Sequence, residues 1–201
     1  MREDGPVQTP RVVTVNVGRP EPNPYKDTVD TGMGKRPVDG PVAVRDPGPK
    51  HGGLGSGLVG DHIGDTAHHG GDTQAVYAFA REDLDRWEQR LGRDLPNGFF
   101  GENLTTLGID PNTALVGEVW RIGDTVELEV TDPRIPCSTF RGWVGETGWL
   151  KLFAQDARPG AYFRVLVPGA VQAGDAVTVV SRPDHGVTIA RVFREYLGQP
   201  G

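Results

Sequence analysis

The stretch "EVWRIGDTVELEVTDPRIPC", residues 118–137, decides how the rest of the chain is interpreted. Apolar and polar residues alternate loosely on both sides of a Gly-Asp dipeptide, a pattern typical of two antiparallel strands joined by a tight turn. Pro133 and Pro136 follow the second strand and restrict the backbone angles of the next loop. The stretch therefore predicts a β-hairpin whose second strand leads into a stiff loop ending at Cys137, the single cysteine of the chain.

Further strand signals lie on either side of this hairpin. The segments "RVVTVNV" (11–17) and "QAVYAFA" (74–80) are rich in apolar or β-branched residues and predict buried strands. The segment "GAVQAGDAVTVVSR" (169–182) repeats the pattern of strand, Gly-Asp turn and strand, so we expect a second hairpin there. A content of 29 glycines and 17 prolines favours many turns and short strands over long helices.

Three segments predict helices. Apolar residues recur at helical spacing in "REDLDRWEQRL" (81–91), where Gly92 provides a C-terminal stop. They recur again in "VTIARVFREYLG" (187–198), where Thr188 is suited to the N-cap position. The segment "GETGWLKLFAQD" (145–156) predicts a third, shorter helix. The chain is therefore predicted to be mainly β, with a barrel-like core and two or three helices around it.

Length and composition exclude several classes of protein. The 201 residues are enough for one domain with a small appendage, and the net charge of -6 argues against a general nucleic-acid surface. No segment has the roughly 18 consecutive apolar residues of a membrane span, and the first residues lack the apolar run of a secretory signal. One cysteine forms no internal disulfide and no cysteine-only metal or cluster site. We therefore expect a cytoplasmic protein without membrane or nucleic-acid partners.

The glycine-rich segment 46–72 contains two motifs that resemble ligand sites. "GSGLVG" (55–60) has the glycine spacing of a dinucleotide-binding loop, but no strand precedes it and no helix follows it, so we interpret it as a mobile loop. The six imidazole and carboxylate residues of "DHIGDTAHHGGD" (61–72) are Asp61, His62, Asp65, His68, His69 and Asp72. Their spacing matches no standard zinc signature, so a metal site and solvent-facing histidines remain alternative interpretations.

Two single residues also allow more than one interpretation. A lone cysteine is commonly buried as a small apolar residue, but Arg134 and Arg141 lie near Cys137 in sequence, and cationic surroundings lower the pKa of a thiol. Asn103, in "FGENLT" (100–105), either stabilises its own turn or pairs with the edge of a heterocycle, since its amide both donates and accepts. Local chemistry leaves both questions open.

Taken in order, several motifs resemble one known family. The set comprises "TGMGKRPV", "GLVGDHIGD", "HHGGDTQAVYAFAREDL", "GENL" and "IGDTVELEVTDPRIPC". It resembles the MOSC domain, named after the C-terminal domain of molybdenum cofactor sulfurases, in its stand-alone YiiM-like branch. The resemblance implies a mainly β, α+β fold with a partly open β-barrel core and peripheral helices. It also implies a flexible N-terminus over 1–11, a MOSC domain over 12–183 and a short helical extension over 184–201.

The resemblance further implies that the domain binds the molybdenum cofactor, a pterin that carries a dithiolene and a phosphate. Cys137 then falls on the position of the protein ligand to molybdenum. Asp72 and His69 fall near the metal, as catalytic groups that relay a proton. The residues implied to contact the cofactor are Lys35, Asn103, Arg134 and His62.

The activity implied by this resemblance is reduction of N-hydroxylated compounds, such as hydroxylaminopurines or amidoximes. The chain has no flavin motif and no cluster cysteines, so the electrons are expected from a separate flavin or iron–sulfur protein. A sulfur carrier or cofactor-delivery protein that uses Cys137 as a persulfide or ligand without turnover is the alternative. A third interpretation is a degenerate domain that only binds a phosphate ligand.

Overall fold

A computed structural model describes residues 9–27 and 30–199 of the chain. Residues 1–8 of the predicted flexible N-terminus lie outside the described residues. The ten strands are β1 (Arg11–Val17), β2 (Arg36–Pro37), β3 (Val42–Val44), β4 (Val76–Ala80), β5 (Leu104–Leu107), β6 (Val119–Ile122), β7 (Val126–Pro133), β8 (Ala161–Val167), β9 (Gly169–Val171) and β10 (Val177–Ser181). The helices are α1 (Arg81–Leu91), α2 (Ser138–Val144), α3 (Trp149–Asp156) and α4 (Ile189–Tyr196), with a 3₁₀ helix at Asp72–Gln74.

Eight of the strands form one mixed sheet in the order β10-β6-β7-β8-β4-β5-β1-β2, and β3 pairs with β9 in a second, two-stranded sheet. β4 and β5 are parallel, and the other strand pairs are antiparallel. One isolated bridge, between Arg11 and Ala176, links β1 to the start of β10. Within the described residues this bridge does not extend into a ladder, so the predicted barrel is not confirmed. The prediction of a mainly β fold is confirmed, and the described residues form four α-helices.

The strand predictions are confirmed where the signal is local. β1 has the predicted bounds, and β6 and β7 form the predicted hairpin, with Trp120 opposite Leu128. The second predicted hairpin, over 169–182, is wrong. β9 pairs with β3 and β10 pairs with β6, because each strand finds its hydrogen-bond partner in a distant part of the chain.

The three predicted helices are confirmed, and so are the two predicted cap residues, Gly92 and Thr188. Gly92 ends α1 with φ of 65°, a left-handed conformation that glycine adopts without steric cost. The Thr188 hydroxyl accepts a hydrogen bond from the Arg191 N–H at the start of α4. Helix α2, directly after Cys137, was not predicted. None of the described helices is long and apolar enough to cross a membrane.

The buried core lies on both faces of β4. Successive side chains of a strand point to opposite faces, so Val76 and Ala78 join an aliphatic cluster whereas Tyr77 and Phe79 join an aromatic one. The aromatic cluster fixes α2 against the sheet. The ring centre of Phe140 lies 5.2 Å from that of Phe100 and 5.4 Å from that of Trp149. This packing holds the first turn of α2, and with it Cys137, in a defined position.

Candidate functional site

A cavity of about 760 Å³, including the part open to solvent, lies where β4, the end of β7 and the loops before β2 and β5 meet. Six of the seven predicted site residues line it, namely Lys35, His62, His69, Asn103, Arg134 and Cys137. Asp72, the seventh, lies in the 3₁₀ helix and does not line the cavity.

Cys137 is half-buried at the N-cap position of α2 and faces the cavity. Burial raises the pKa of its thiol. The hydrogen bond to His69, the positive charge of Arg134 and the Phe140 N–H outweigh that effect and lower the pKa to about 6. Cys137 is therefore largely a thiolate at neutral pH, and a thiolate is the form that attacks electrophiles and binds soft metals.

Arg134 supplies a buried positive charge to the same cavity. Its side chain is 6% exposed, its guanidinium donates to the Phe100 carbonyl, and one nitrogen lies 3.6 Å from Met33 Sδ. Its Nε has no hydrogen-bond partner in the described part of the chain. No carboxylate of residues 9–27 and 30–199 lies within 4.0 Å of it. A buried cation with neutral partners favours a ligand that carries negative charge.

Two tyrosines form the aromatic wall of the cavity. The ring centres of Tyr77 and Tyr162 lie 5.0 Å apart, and the Tyr77 hydroxyl donates to the Pro159 carbonyl at 2.7 Å. Burial raises the pKa of both phenols, so both are neutral at neutral pH. Such a wall suits a flat ring system.

A buried hydrogen-bond network centred on Asp61 lies behind the cavity. The Asp61 carboxylate accepts from the Gly18 N–H at 2.6 Å, the Ser56 hydroxyl at 2.7 Å, the Asn103 amide at 2.9 Å and the Lys35 ammonium. The Asn103 carbonyl oxygen accepts from the Tyr77 N–H at 3.1 Å. The amide of Asn103 therefore joins β4 and the loop before β5 to this network, although it also lines the cavity. The sequence grouped Asp61 with the candidate metal ligands of residues 61–72, and nothing in its spacing indicated this buried role.

Residues 21–27, which we call the cover segment, cross one side of the cavity. Asn23 donates to the Thr139 hydroxyl of α2 at 3.1 Å, and the Lys26 ammonium lies 2.5 Å from the Asp65 carboxylate. The ring of Tyr25 packs on Gly142, leaving no room for a Cβ there. The cover segment thus spans from α2 to the loop that carries His62 and Asp65.

His62 belongs to the same rim. Its Nε2 lies 2.9 Å from a carboxylate oxygen of Asp30, which also lines the cavity. His68 lies outside, 69% exposed, and bonds Asp65 at 3.0 Å. In the described part of the chain, no three His, Cys, Asp or Glu residues are grouped so as to hold a metal ion.

Several glycines of the segment 46–72 have a packing role. A Cβ on Gly57 would lie 2.8 Å from the Ala75 carbonyl oxygen, and one on Gly70 would lie 2.6 Å from that of Gly55. The Gly57 N–H donates to Ala75 at 2.7 Å. The segment is therefore held against the start of β4 by close backbone contacts, which only glycine permits.

The described residues fit a molybdenum cofactor. A metal with two cofactor sulfurs needs a soft protein ligand, and Cys137 offers one thiolate. The Arg134 guanidinium, whose Nε has no partner among the described residues, suits phosphate or pterin oxygens, since its planar fork matches oxyanions. The tyrosine wall suits the flat pterin.

Comparisons with known proteins identify the family. The MOSC domain family model matches residues 65–178, more than half of the chain. The Bacillus subtilis protein YflK is 31% identical over 89% of this chain and 76% of its own length. A protein of Gibberella moniliformis named "Reductase" is 28% identical over 96% of this chain, which spans 33% of that protein.

One solved structure extends the likeness to the fold. The crystal structure of YiiM from Geobacillus stearothermophilus superimposes with a TM-score of 0.72 at 29% identity, covering 93% of this chain and 83% of that one. The family match, the YflK identity and this fold similarity point to the same group of proteins. The chain therefore belongs to the MOSC domain family, as a YiiM-like member.

Proposed function

We propose that this protein is a molybdenum-cofactor-binding oxidoreductase that reduces N-hydroxylated compounds. The observation that carries the proposal is the Cys137 thiol, which faces the cavity with its pKa lowered to about 6. The family and the relative named a reductase support the general class. The choice of N-hydroxylated compounds as the substrate class goes beyond that general class and is part of the proposal.

Three groups of the chain would hold the cofactor. Cys137 would bind the metal through sulfur, Arg134 would meet anionic oxygens of the cofactor, and the rings of Tyr77 and Tyr162 would cover the pterin. The aromatic packing of Phe140 keeps Cys137 in place before any ligand arrives, which lowers the entropic cost of binding.

The bound cofactor would supply the two-electron chemistry that takes oxygen from nitrogen. In the net reaction an N–OH group, two electrons and two protons give N–H and water. His69 is positioned to hold one of these protons, since its ring bonds Cys137 at the cavity. Asp72 does not line the cavity, so we assign the proton role to His69 alone. A separate flavin or iron–sulfur protein would supply the electrons.

The variant Cys137→Ser tests the proposal. The variant is produced in a host that makes the cofactor, and reduction of a hydroxylaminopurine is measured with a chemical electron donor. We expect the variant to fold but to lose both its molybdenum and pterin content and its reductase activity. Ser138→Ala, the neighbouring change in α2, should retain both metal and activity. Full activity in the serine variant would overturn the assignment of Cys137, and wild-type protein without molybdenum or pterin would overturn the proposed function.

The second candidate is a sulfur carrier, favoured by the half-buried but low-pKa thiol of Cys137. The Cys137 thiolate would attack the outer sulfur of a persulfide carried by a cysteine desulfurase. The S–S bond of that persulfide would break, and the desulfurase cysteine would leave as a thiolate. Mass spectrometry of metal-free protein after incubation with a desulfurase and cysteine would detect the added sulfur atom. The carrier function would be favoured if wild type gains the sulfur atom, Cys137→Ser does not, and the loaded wild type passes that sulfur to an acceptor.

A further inference from the structure

Lys35 and Arg134 are both basic and both line the cavity, but their charges are balanced in different ways. The Lys35 ammonium contacts the carboxylate of Asp61, and the two side chains are 8% and 0% exposed. Lys35 lines the cavity and Asp61 does not, so the carboxylate lies behind the lysine. Together they form a buried ion pair at the cavity wall.

Every acceptor position of the Asp61 carboxylate is used within the fold. One oxygen accepts from Lys35 and the Gly18 N–H, and the other accepts from the Ser56 hydroxyl and the Asn103 amide. A carboxylate offers about four such positions, so none is left for a ligand or water. The four donors come from four separate parts of the chain, which fixes Asp61 and therefore also the position of Lys35.

Arg134 has no carboxylate counterion within 4.0 Å among residues 9–27 and 30–199, although the Cys137 thiol lies near enough to feel its charge. Its guanidinium contacts the Phe100 carbonyl and the Met33 sulfur, both neutral, and its Nε has no hydrogen-bond partner in the part of the chain that the structure describes. Its guanidinium carbon lies over the rings of Phe140 and Tyr77 at 4.0 and 5.3 Å. These contacts position the group but do not cancel its charge.

We propose that Asp61 neutralises Lys35 within the fold, so that Arg134, not Lys35, supplies the charge that holds the anionic group of the ligand. An anion at the cavity meets opposite charges from Lys35 and Asp61 that largely cancel, whereas no carboxylate of the described residues balances the charge of Arg134. Asp61 is then a positioning residue, which keeps Lys35 in the wall. The ligand's identity as a phosphate-bearing cofactor rests on the proposed function.

A compensating double variant separates this role from direct contact by Lys35. Wild type, Arg134→Gln, Lys35→Met and Lys35→Met/Asp61→Asn are produced in a cofactor-competent host, and pterin and molybdenum per protein are measured after gel filtration. We expect Arg134→Gln to weaken retention about ten- to a hundredfold, the loss typical of a charged hydrogen bond. Lys35→Met should also lose ligand, because the Asp61 charge is then unopposed behind the wall.

The double variant gives the decisive result. If Asp61 only neutralises Lys35, removing both charges should restore retention to within about twofold of wild type, since the two changes compensate. If Lys35 contacts the ligand directly, the double variant stays as low as Lys35→Met, and the proposal is overturned. Equal retention by Arg134→Gln and wild type would overturn it as well.

Two measurements on ligand-free protein separate this proposal from the proposed function. If wild type holds neither pterin nor molybdenum, the proposed function fails, and inorganic phosphate titrated by calorimetry into the same variants replaces the cofactor. The same order of affinities would support the role of Asp61, and wild type that binds no phosphate would overturn it. The NMR signal of the Lys35 ammonium should also exchange slowly, and exchange as fast as that of exposed Lys151 would overturn the buried pair.

Discussion

The guanidinium carbon of Arg134 lies 4.0 Å from the centre of the Phe140 ring, in the first turn of α2. The same helix begins directly after Cys137, so one aromatic ring orients the cation and anchors the helix that follows the thiol. The charge of Arg134 contributes to the lowered pKa of Cys137. The cation, the ring and the thiol therefore form one unit, and a change to one member affects the others.

Arg134→Lys is expected to destabilise the ligand-free protein. A lysine cannot stack on Phe140 and Tyr77 and also present the planar fork that donates to the Phe100 carbonyl. We expect a loss of about 1–2 kcal/mol in the free energy of unfolding, measured by denaturant titration. Arg141→Lys, at an exposed position of α2, is the matched control and should be neutral. Equal stability of the two variants would contradict the stacking role.

Alkylation of Cys137 in metal-free protein is expected to show the pH dependence of an unusually acidic thiol. The thiolate forms as the pH rises through the pKa, so the rate with iodoacetamide should rise around pH 6 and level off near neutrality. Glutathione in the same buffers provides the reference thiol. Because the chain has one cysteine, mass spectrometry reports a single adduct.

His69→Phe is expected to raise the midpoint of this alkylation profile, because the phenyl ring removes the hydrogen bond that helps to lower the pKa of Cys137. His68→Phe is the control, since His68 is exposed and bonds Asp65. An unchanged midpoint in His69→Phe would show that Arg134 and the Phe140 N–H carry the effect.

Asp65 is expected to stabilise the fold except in strong acid. Burial raises the pKa of its carboxyl, but the hydrogen bonds and charges of Lys26 and His68 lower it to about 2. The ionised form is favoured in the folded state, so this contribution is complete above the ordinary pKa of 3.8 and is lost as the pH falls through about 2. The difference in unfolding free energy between wild type and Asp65→Asn should therefore shrink over that range. The exposed Asp39, changed to Asn, provides the control.

Gly142→Ala is expected to release the cover segment without unfolding the domain. The new Cβ would lie 2.2 Å from the Tyr25 ring, a contact that only movement of Tyr25 relieves. Alanine also favours the helix by about 1 kcal/mol, which offsets part of the loss. Amide hydrogen exchange over residues 21–27 should rise while the melting temperature changes little. Arg141→Ala should leave the exchange unchanged, and unchanged exchange in Gly142→Ala would exclude Tyr25 as the anchor.

Sequence patterns predicted the elements whose signals are local. The β6–β7 hairpin follows from alternation around a Gly-Asp turn, and α4 follows from its apolar spacing and the Thr188 cap. A turn signal does not specify a strand's partner, however, so the hairpin over 169–182 was wrong. Helix α2 contains Gly142 and begins beside two prolines, and its stability comes from the packing of Phe140 rather than from local propensity.

The site was predicted mainly through the family motifs. Those motifs led to six residues that line one cavity, but not to the state of each side chain in it. Asp61 was grouped with the histidines as a candidate metal ligand, whereas the fold uses it as the counterion of Lys35. Asp72 is three residues from His69 and yet does not line the cavity; it begins the 3₁₀ helix, after Gly70 and Gly71 turn the backbone with φ of 79° and 83°. Such outcomes depend on contacts between distant segments, which local patterns do not encode.

The cavity draws its walls from nearly the whole length of the domain, from Asn23 near the N-terminus to Tyr162 on β8. The aromatic wall is complete only when β8 has paired with β4, bringing Tyr162 opposite Tyr77. A chain still emerging from the ribosome lacks that strand for most of its synthesis. Any binding that uses the aromatic wall can therefore occur only after β8 has been made and has folded onto β4.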